Sequence, residues 1–283
     1  MTILLIGKSG QVATEIRRRQ QVLAMEAPDI DLINPRGCAA KIRDIAPRMI
    51  INAAAFTAVD RAEDQEDIAQ AINANAPCEM SQVAADLNIP FLHVSTDYVF
   101  EGNGEKPWSP NDAAHPLSAY GRTKLAGDMA VLNSGAQVAV LRTSWVFSAH
   151  GDNYVKTMLR LGVERDELSI VADQIGGPTS AASIAQALLT IGRSFLAGRG
   201  IGGIYHFSGE PETSWAGFSR EIFKQAGLNV KVQDIPTSEY PTRAKRPLNS
   251  RLDCSDILRD YGIERPDWRQ DLADVLRELD EQS

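Results

Sequence analysis

Short apolar runs alternate with longer amphipathic stretches along the first half of this chain. Runs at residues 3–6, 21–25, 49–52, 91–95 and 138–142 are dense in Ile, Leu, Val and Phe, and they read as buried strands. Between them, apolar residues recur at three- and four-residue intervals near 11–20, 37–46, 59–74, 76–87 and 119–133. That is the period of helices with one buried face. Strand and helix in alternation predict an α/β fold, a doubly wound parallel sheet of the Rossmann type. After Trp145 the pattern changes. A helix is expected near 153–165 and a strand near 168–171, followed by a turn rich in Gly and Pro at 173–179. A helix near 181–196 and a strand at 203–207 are expected to return to the main sheet. Beyond them come a helix near 214–226, a strand near 230–235, a Pro-rich stretch at 236–247 and a helix from Trp268 to about Leu279.

The first strand runs into Gly7-Lys8-Ser9-Gly10-Gln11-Val12-Ala13, a G-x-x-G-x-x-A turn that opens a helix. Gly7 permits the tight turn, Gly10 lets the backbone approach a pyrophosphate, and Ala13 is small enough for helix–strand packing. The free N–H groups and dipole of the helix N-terminus then face the phosphates. Glu26 closes the second strand, about where an acidic residue meets an adenine ribose and favours NADH. Lys8 and Arg17–Arg19 offset that charge, so both NADPH and NADH remain open; the arginines also read as a solvated helix end. The expected organisation is a dinucleotide-binding domain over 1–147, rejoined by 180–207, and a smaller substrate-binding lobe formed mainly by 148–283.

Ser95-Thr96-Asp97-Tyr98-Val99-Phe100 follows the fourth strand, and Tyr120-Gly121-Arg122-Thr123-Lys124 opens the fifth helix. Tyr120 and Lys124 are four apart and share a helix face. A neighbouring ammonium lowers a phenol's pKa, and such a tyrosine can exchange a proton with a sugar oxygen near neutral pH. A bare Y-x-x-x-K is usually a surface pair; the glycine turn upstream makes a site the better reading. Asn52-Ala53-Ala54-Ala55 ends the third strand with small side chains that let a flat cofactor lie close. Three strand ends, at Gly7, Asn52 and Thr96, thus meet where open α/β sheets bind ligands.

The net charge of −8 argues against a nucleic-acid partner. Three scattered cysteines, Cys38, Cys78 and Cys254, suggest a reducing compartment with neither a disulfide framework nor a metal pattern. No signal peptide and no membrane span are expected, which points to the cytoplasm.

Taken in order, GKSGQV at 7–12, NAAAFTAVDRAE at 52–63, STDYVF at 95–100, YGRTKLAG at 120–127, RTSWVF at 142–147, DQIGGPT at 173–179 and RPLNSRLD at 246–253 resemble the extended short-chain dehydrogenase/reductase family. Within it they resemble the branch that reduces dTDP-4-dehydrorhamnose. The resemblance covers nearly the whole chain. It implies NAD(P)H-dependent reduction of the C4 keto group of a dTDP-4-keto-6-deoxy sugar, with Thr96, Tyr120 and Lys124 as the catalytic trio. It implies a cofactor site of Gly7, Gly10, Gln11, Val12, Asp31, Leu32, Ala53, Ala54, Ala55, Tyr120 and Lys124. It implies a substrate site of Thr96, Asp97, Tyr98, Trp145, Arg246, Asn249 and Arg251.

The residues themselves are compatible. The Trp145 indole, at the carboxyl end of a buried strand, can stack on a sugar or fill a core. Arg246 and Arg251 suit a diphosphate, or are loop arginines in solvent. Thr57, Asp60 and Glu63 read as helix-capping and solvated groups. Asp97 orients Thr96 or caps a turn.

Some members of the family bind a divalent cation between subunits through glutamates. Glu15 and Glu278 match two of those positions, but Ala182 stands at the third. A hard cation needs several oxygen ligands, so no metal site is expected, Mg²⁺ is doubtful, and the chain is a monomer or a homodimer. Two other functions compete. One is another nucleotide-sugar reductase or epimerase, although dehydratases of the superfamily carry a glutamate where Tyr98 stands. The other is a non-catalytic subunit like that of methionine adenosyltransferase, which the intact trio disfavours.

Overall fold

The computed structural model describes residues 2–282. Its first half comprises β1 (Ile3–Ile6), α1 (Gln11–Arg19), β2 (Leu23–Met25), α2 (Pro35–Ile45), β3 (Met49–Asn52), α3 (Val59–Ala62), α4 (Glu66–Gln70), α5 (Ala76–Asp86), β4 (Pro90–Thr96), α6 (Ala119–Leu132) and β5 (Gln137–Thr143). The second half comprises β6 (Val146–Phe147), α7 (Tyr154–Glu164), β7 (Glu167–Val171), β8 (Ile175–Gly176), β9 (Thr179–Ser180), α8 (Ala181–Leu196), β10 (Gly203–His206), β11 (Thr213–Ser214), α9 (Trp215–Gln225), β12 (Lys231–Ile235), β13 (Asn249–Ser250), α10 (Ser255–Tyr261) and α11 (Trp268–Glu281).

Six strands form one parallel sheet in the order β2-β1-β3-β4-β5-β10. The order reverses at β1, which places a topological switch point between β1 and β3. Side chains alternate between the two faces of a strand, and both faces here are covered, so each strand reads as a continuous apolar run. Leu5, Ile51, Leu92 and Leu141 pack with Ile16 of α1 and with Ile184, Leu188 and Ile191 of α8. Leu4, Ile6, Ile50, Phe91 and Val140 pack on the other face with Ile42 of α2 and Met80 and Val83 of α5. Thus α8 and β10, from the second half, complete the first-half core. The remaining strands make small sheets: β11-β8-β13, β12-β7 and β6-β9. A third core around Phe147, Phe218, Phe223, Trp268 and Leu272 lies under them.

The helix expected over 59–74 is broken. It separates into α3 and α4, and a π-turn at Ala71–Asn75 runs into α5. Pro77 lacks the N–H that the Asn73 carbonyl would take in an α-helix, and the chain widens just before it. The Asn73 side chain then ties two segments together. Its Oδ1 accepts from Phe56 N at 2.7 Å, and its Nδ2 donates to Phe56 O at 3.2 Å and to Thr123 Oγ1 at 3.1 Å. Among the described residues no helix is long and apolar enough to cross a membrane.

Candidate active site

The strand ends β1, β3 and β4 open into a cleft of about 590 Å³. Gly7 has φ +95°, and a Cβ there would stand 3.3 Å from Ala54 N. Both its conformation and the close approach of the 53–55 backbone therefore require glycine. Gly10 begins α1 with no side-chain cap and no acidic residue in the first turn, which leaves the helix N–H groups available to an anion. Gly7, Gly10, Gln11, Val12 and Ala53–Ala55 all line the cleft. Glu26 lines it too, but its Oε2 accepts from Lys8 N (3.2 Å), Ser9 N (3.0 Å) and Ser9 Oγ (2.8 Å). The Ser9 bonds draw its pKa below the ordinary carboxylate value. The acid foreseen at the ribose thus also clamps the glycine turn. Asp31 and Leu32 stand outside the cleft lining. Asp31 caps a turn through Ile33 N, and Leu32 packs on the second core.

Thr96, Tyr120 and Lys124 meet on the opposite wall. Ser118 caps α6 by accepting from Gly121 N at 3.2 Å, and Glu63 Oε1 accepts from Ala119 N at 2.8 Å. A Cβ on Gly121 would lie 2.2 Å from Tyr98 O, so only glycine lets α6 sit against the 97–99 turn. Thr96 Oγ1 donates to Asp97 Oδ1 at 3.1 Å and accepts from Tyr98 N. The expected lowering of the Tyr120 pKa by Lys124 is corrected here. Burial pushes the Tyr120 phenol above its ordinary value, and a hydrogen bond with Thr96 offsets only part of this. Lys124 Nζ donates to Val94 O at 2.7 Å and lies 3.4 Å from His93 Nε2. Burial draws Lys124 itself down to about 8. Asp97 is pushed up to about 6, chiefly by burial.

Several polar atoms of residues lining this cleft are buried without a hydrogen-bond partner: Gln11 Oε1, Ser95 Oγ, Asp97 Oδ2 and Thr143 Oγ1. Buried polar groups are ordinarily paired, so these atoms and the Gly7 cradle fit a polar, elongated ligand such as a dinucleotide and its substrate.

Tyr98 also lines a second, adjoining cavity of about 380 Å³, walled by Tyr154, Leu168, Trp215, Tyr240 and Arg246. Arg246 is held by Asp60, at 2.7 Å and 3.3 Å, so Asp60 is the anchor of an arginine as well as a first-turn acid of α3. Trp145 lines the main cleft at φ +49°, a costly conformation for a bulky residue. One face of its indole stacks on Trp215 at 3.7 Å between centroids, so that face is closed to a sugar. Asn249 and Arg251 are not in either lining. Asn249 is 2 % exposed, donates to Asn103 O and Lys106 O, and accepts from Arg251.

Glu15, His150 and Glu278 bring their ligand atoms within 4.8 Å of one another. His150 was invisible to the sequence pattern because it comes from the loop after β6. Arg18 Nη1 lies among them, bonded to Glu278, 2.6 Å from His150 Nε2 and 3.6 Å from Glu15. The Arg18 guanidinium thus lies among these three ligand atoms, and Ala182 adds no carboxylate to them. Ser144, Gly151, Asp152 and Thr57 are further cleft residues absent from the sequence-derived site set. Asn52 and His93, fully buried below Lys124 and outside the lining, were absent from it too. The last two carried a signal, since both are polar residues inside apolar strand runs.

A family profile described as "RmlD substrate binding domain" matches residues 1–281. The chain is 42% identical over 280 residues to "dTDP-4-dehydrorhamnose reductase" of Sinorhizobium fredii, covering 95% of each chain. It is 40% identical over 294 residues to the protein of the same name from Escherichia coli K12, covering 99% of this chain and 98% of the relative. It is also similar to the crystal structure of dTDP-4-dehydrorhamnose reductase from Bacillus anthracis in complex with NADP. That likeness has a TM-score of 0.92 at 31% identity and covers 98% of this chain and 100% of the other.

Proposed function

The chain belongs to the RmlD substrate-binding-domain family, and from that premise we infer that it reduces the C4 keto group of dTDP-4-dehydro-L-rhamnose to give dTDP-L-rhamnose. It is an NAD(P)H-dependent oxidoreductase acting on a nucleotide sugar. NADPH or NADH, when bound, supplies the hydride that goes to C4 and is itself oxidised.

The residues of this chain do the rest. Gly7, Gly10 and the uncapped start of α1 receive the pyrophosphate. The Tyr120 hydroxyl gives its proton to the sugar O4 as negative charge develops there. Thr96 turns its one O–H from Asp97 Oδ1 to the same oxygen, and Lys124 steadies the phenolate that Tyr120 leaves. Ala53–Ala55 and Gln11 hold the cofactor's flat and polar parts. Asp97 and Tyr98 contact the sugar. The unstacked face and the edge of Trp145 close over it. Arg246 meets the diphosphate, while Asn249 and Arg251 shape the segment that carries it. The segments 148–179 and 208–283 form the substrate lobe.

One observation carries this reading. The Thr96–Tyr120–Lys124 wall lies between a phosphate-ready helix terminus and an aromatic cavity, with Tyr98 common to both spaces. The test is NADPH oxidation with dTDP-4-dehydro-L-rhamnose and with the UDP-linked 4-keto sugar. Turnover of the dTDP sugar with formation of dTDP-L-rhamnose is expected. Absence of turnover with either sugar, while NADPH binds, overturns the reading.

A further inference from the structure

The segment 243–249 brings Arg246 to the second cavity and is pinned on both sides of it. Arg243 bonds to Asp64, and Ala244 N donates to Asp60 Oδ1 at 2.9 Å. Beyond Arg246, Asn249 N donates to Gly102 O at 2.8 Å. Asp60 also takes Arg246 itself. Its Oδ2 accepts from Nη2 at 2.7 Å and its Oδ1 from Nη1 at 3.3 Å, while Nη1 also donates to Ala244 O at 3.4 Å. A guanidinium has five N–H groups in one plane. Three are engaged by these bonds, both on Nη1 and one on Nη2. The Nε–H and the second Nη2–H are left, and among the described residues no protein acceptor meets either. These two lie on one edge of the guanidinium, a fork whose spacing matches two oxygens of a single phosphate. The Arg246 side chain keeps 25 % exposure, so a ligand can reach it.

We propose that Asp60 is a positioning residue that turns the Nε/Nη2 edge of Arg246 into the second cavity, where it grips one phosphate of the nucleoside diphosphate. Carboxylate and phosphate then use different edges of the same guanidinium and do not compete for it. Asp60 stands in the first turn of α3, and Thr57 and Val59 beside it line the main cleft. The arginine of the second cavity is thus set from the wall of the first. The proposal rests on reading the site as one for a dTDP sugar.

Calorimetric titration of dTDP into the full-length protein tests it. Asparagine at position 60 can still accept from Ala244 N, which keeps the segment docked, but its amide NH₂ turns a donor toward Arg246. Asp60→Asn is expected to weaken dTDP binding about tenfold, with the NADPH dissociation constant unmoved. KM for the dTDP sugar should rise in step while kcat holds. Arg246→Gln should weaken dTDP binding at least as much, and the double variant no further than Arg246→Gln alone, because both act through one fork. An Asp60→Asn protein that binds dTDP as tightly as the wild type, or more tightly, overturns the proposal. So do effects of the two substitutions that multiply, or a matching loss of NADPH affinity. A wild type that fails to bind dTDP removes the proposed function and this proposal together. A wild type that binds it, with Asp60→Asn unaffected, removes this proposal alone.

Discussion

Replacing Asp97 by asparagine should stabilise the fold, and only above mildly acidic pH. Asp97 is 2 % exposed and one of its oxygens has no partner. Its carboxyl is raised from 3.8 to about 6, mainly because burial disfavours the charge. The sign follows by linkage. Below about pH 4 both folded and unfolded states hold the proton, and the charge costs nothing. Between about 4 and 6 the unfolded chain ionises first, and the fold loses stability as pH rises. Above about 6 the loss is complete and amounts to about 3 kcal/mol. Asparagine never ionises and can still accept from Thr96. Urea unfolding followed by tryptophan fluorescence should therefore show little difference between the two proteins near pH 4. Near pH 8 the variant should gain up to about 3 kcal/mol. If Asp97 holds a sugar hydroxyl, kcat/KM for the nucleotide sugar should fall in the same variant. An equal stability difference at both pH values, or destabilisation near pH 8, would refute the reasoning.

Arg246→Gln should raise KM for the dTDP sugar roughly 10–100-fold, since a charged hydrogen bond is lost, with little change in the NADPH dissociation constant; steady-state kinetics and a binding titration check it. Arg142→Met removes the partner of Asp128, with which Arg142 makes a 2.9 Å contact at 2 % exposure. Urea unfolding should show a loss of about 3–5 kcal/mol. Reductase activity and sedimentation should be unchanged by EDTA or by added Mg²⁺, because Arg18 already sits among Glu15, His150 and Glu278; a Mg²⁺-dependent rise in activity together with dimer formation would contradict this.

The parallel sheet was legible because both of its faces are buried, which makes β1, β3, β4 and β5 continuous apolar runs that only turns interrupt. The return of β10 to the sheet was legible from the same kind of run, Ile204 to Phe207. The break of the helix over 59–74 was not, because its cause is a missing backbone donor at Pro77 and a long-range anchor from Asn73 to Phe56. Gly7, Gly10 and Ala53–Ala55 could be placed in a cleft, since small residues after strands have few other uses. The protonation of the site could not. Spacing puts Tyr120 beside Lys124, but it does not reveal that burial raises the phenol and lowers the amine. Nor does spacing show His150 or Trp215, whose relevance exists only through contacts across the fold.

The claim that Tyr120 delivers the proton to the sugar O4 is tested most directly by Tyr120→Phe. The fold, the NADPH dissociation constant and the unfolding curve should be essentially those of the wild type, because only one hydroxyl in the cleft wall is removed. Single-turnover reduction of dTDP-4-dehydro-L-rhamnose should slow by about 10²–10⁴-fold, the usual worth of general acid catalysis. A Tyr120→Phe protein that binds NADPH normally and reduces the sugar within a few-fold of the wild-type rate would contradict the account, since the proton would then come from another group.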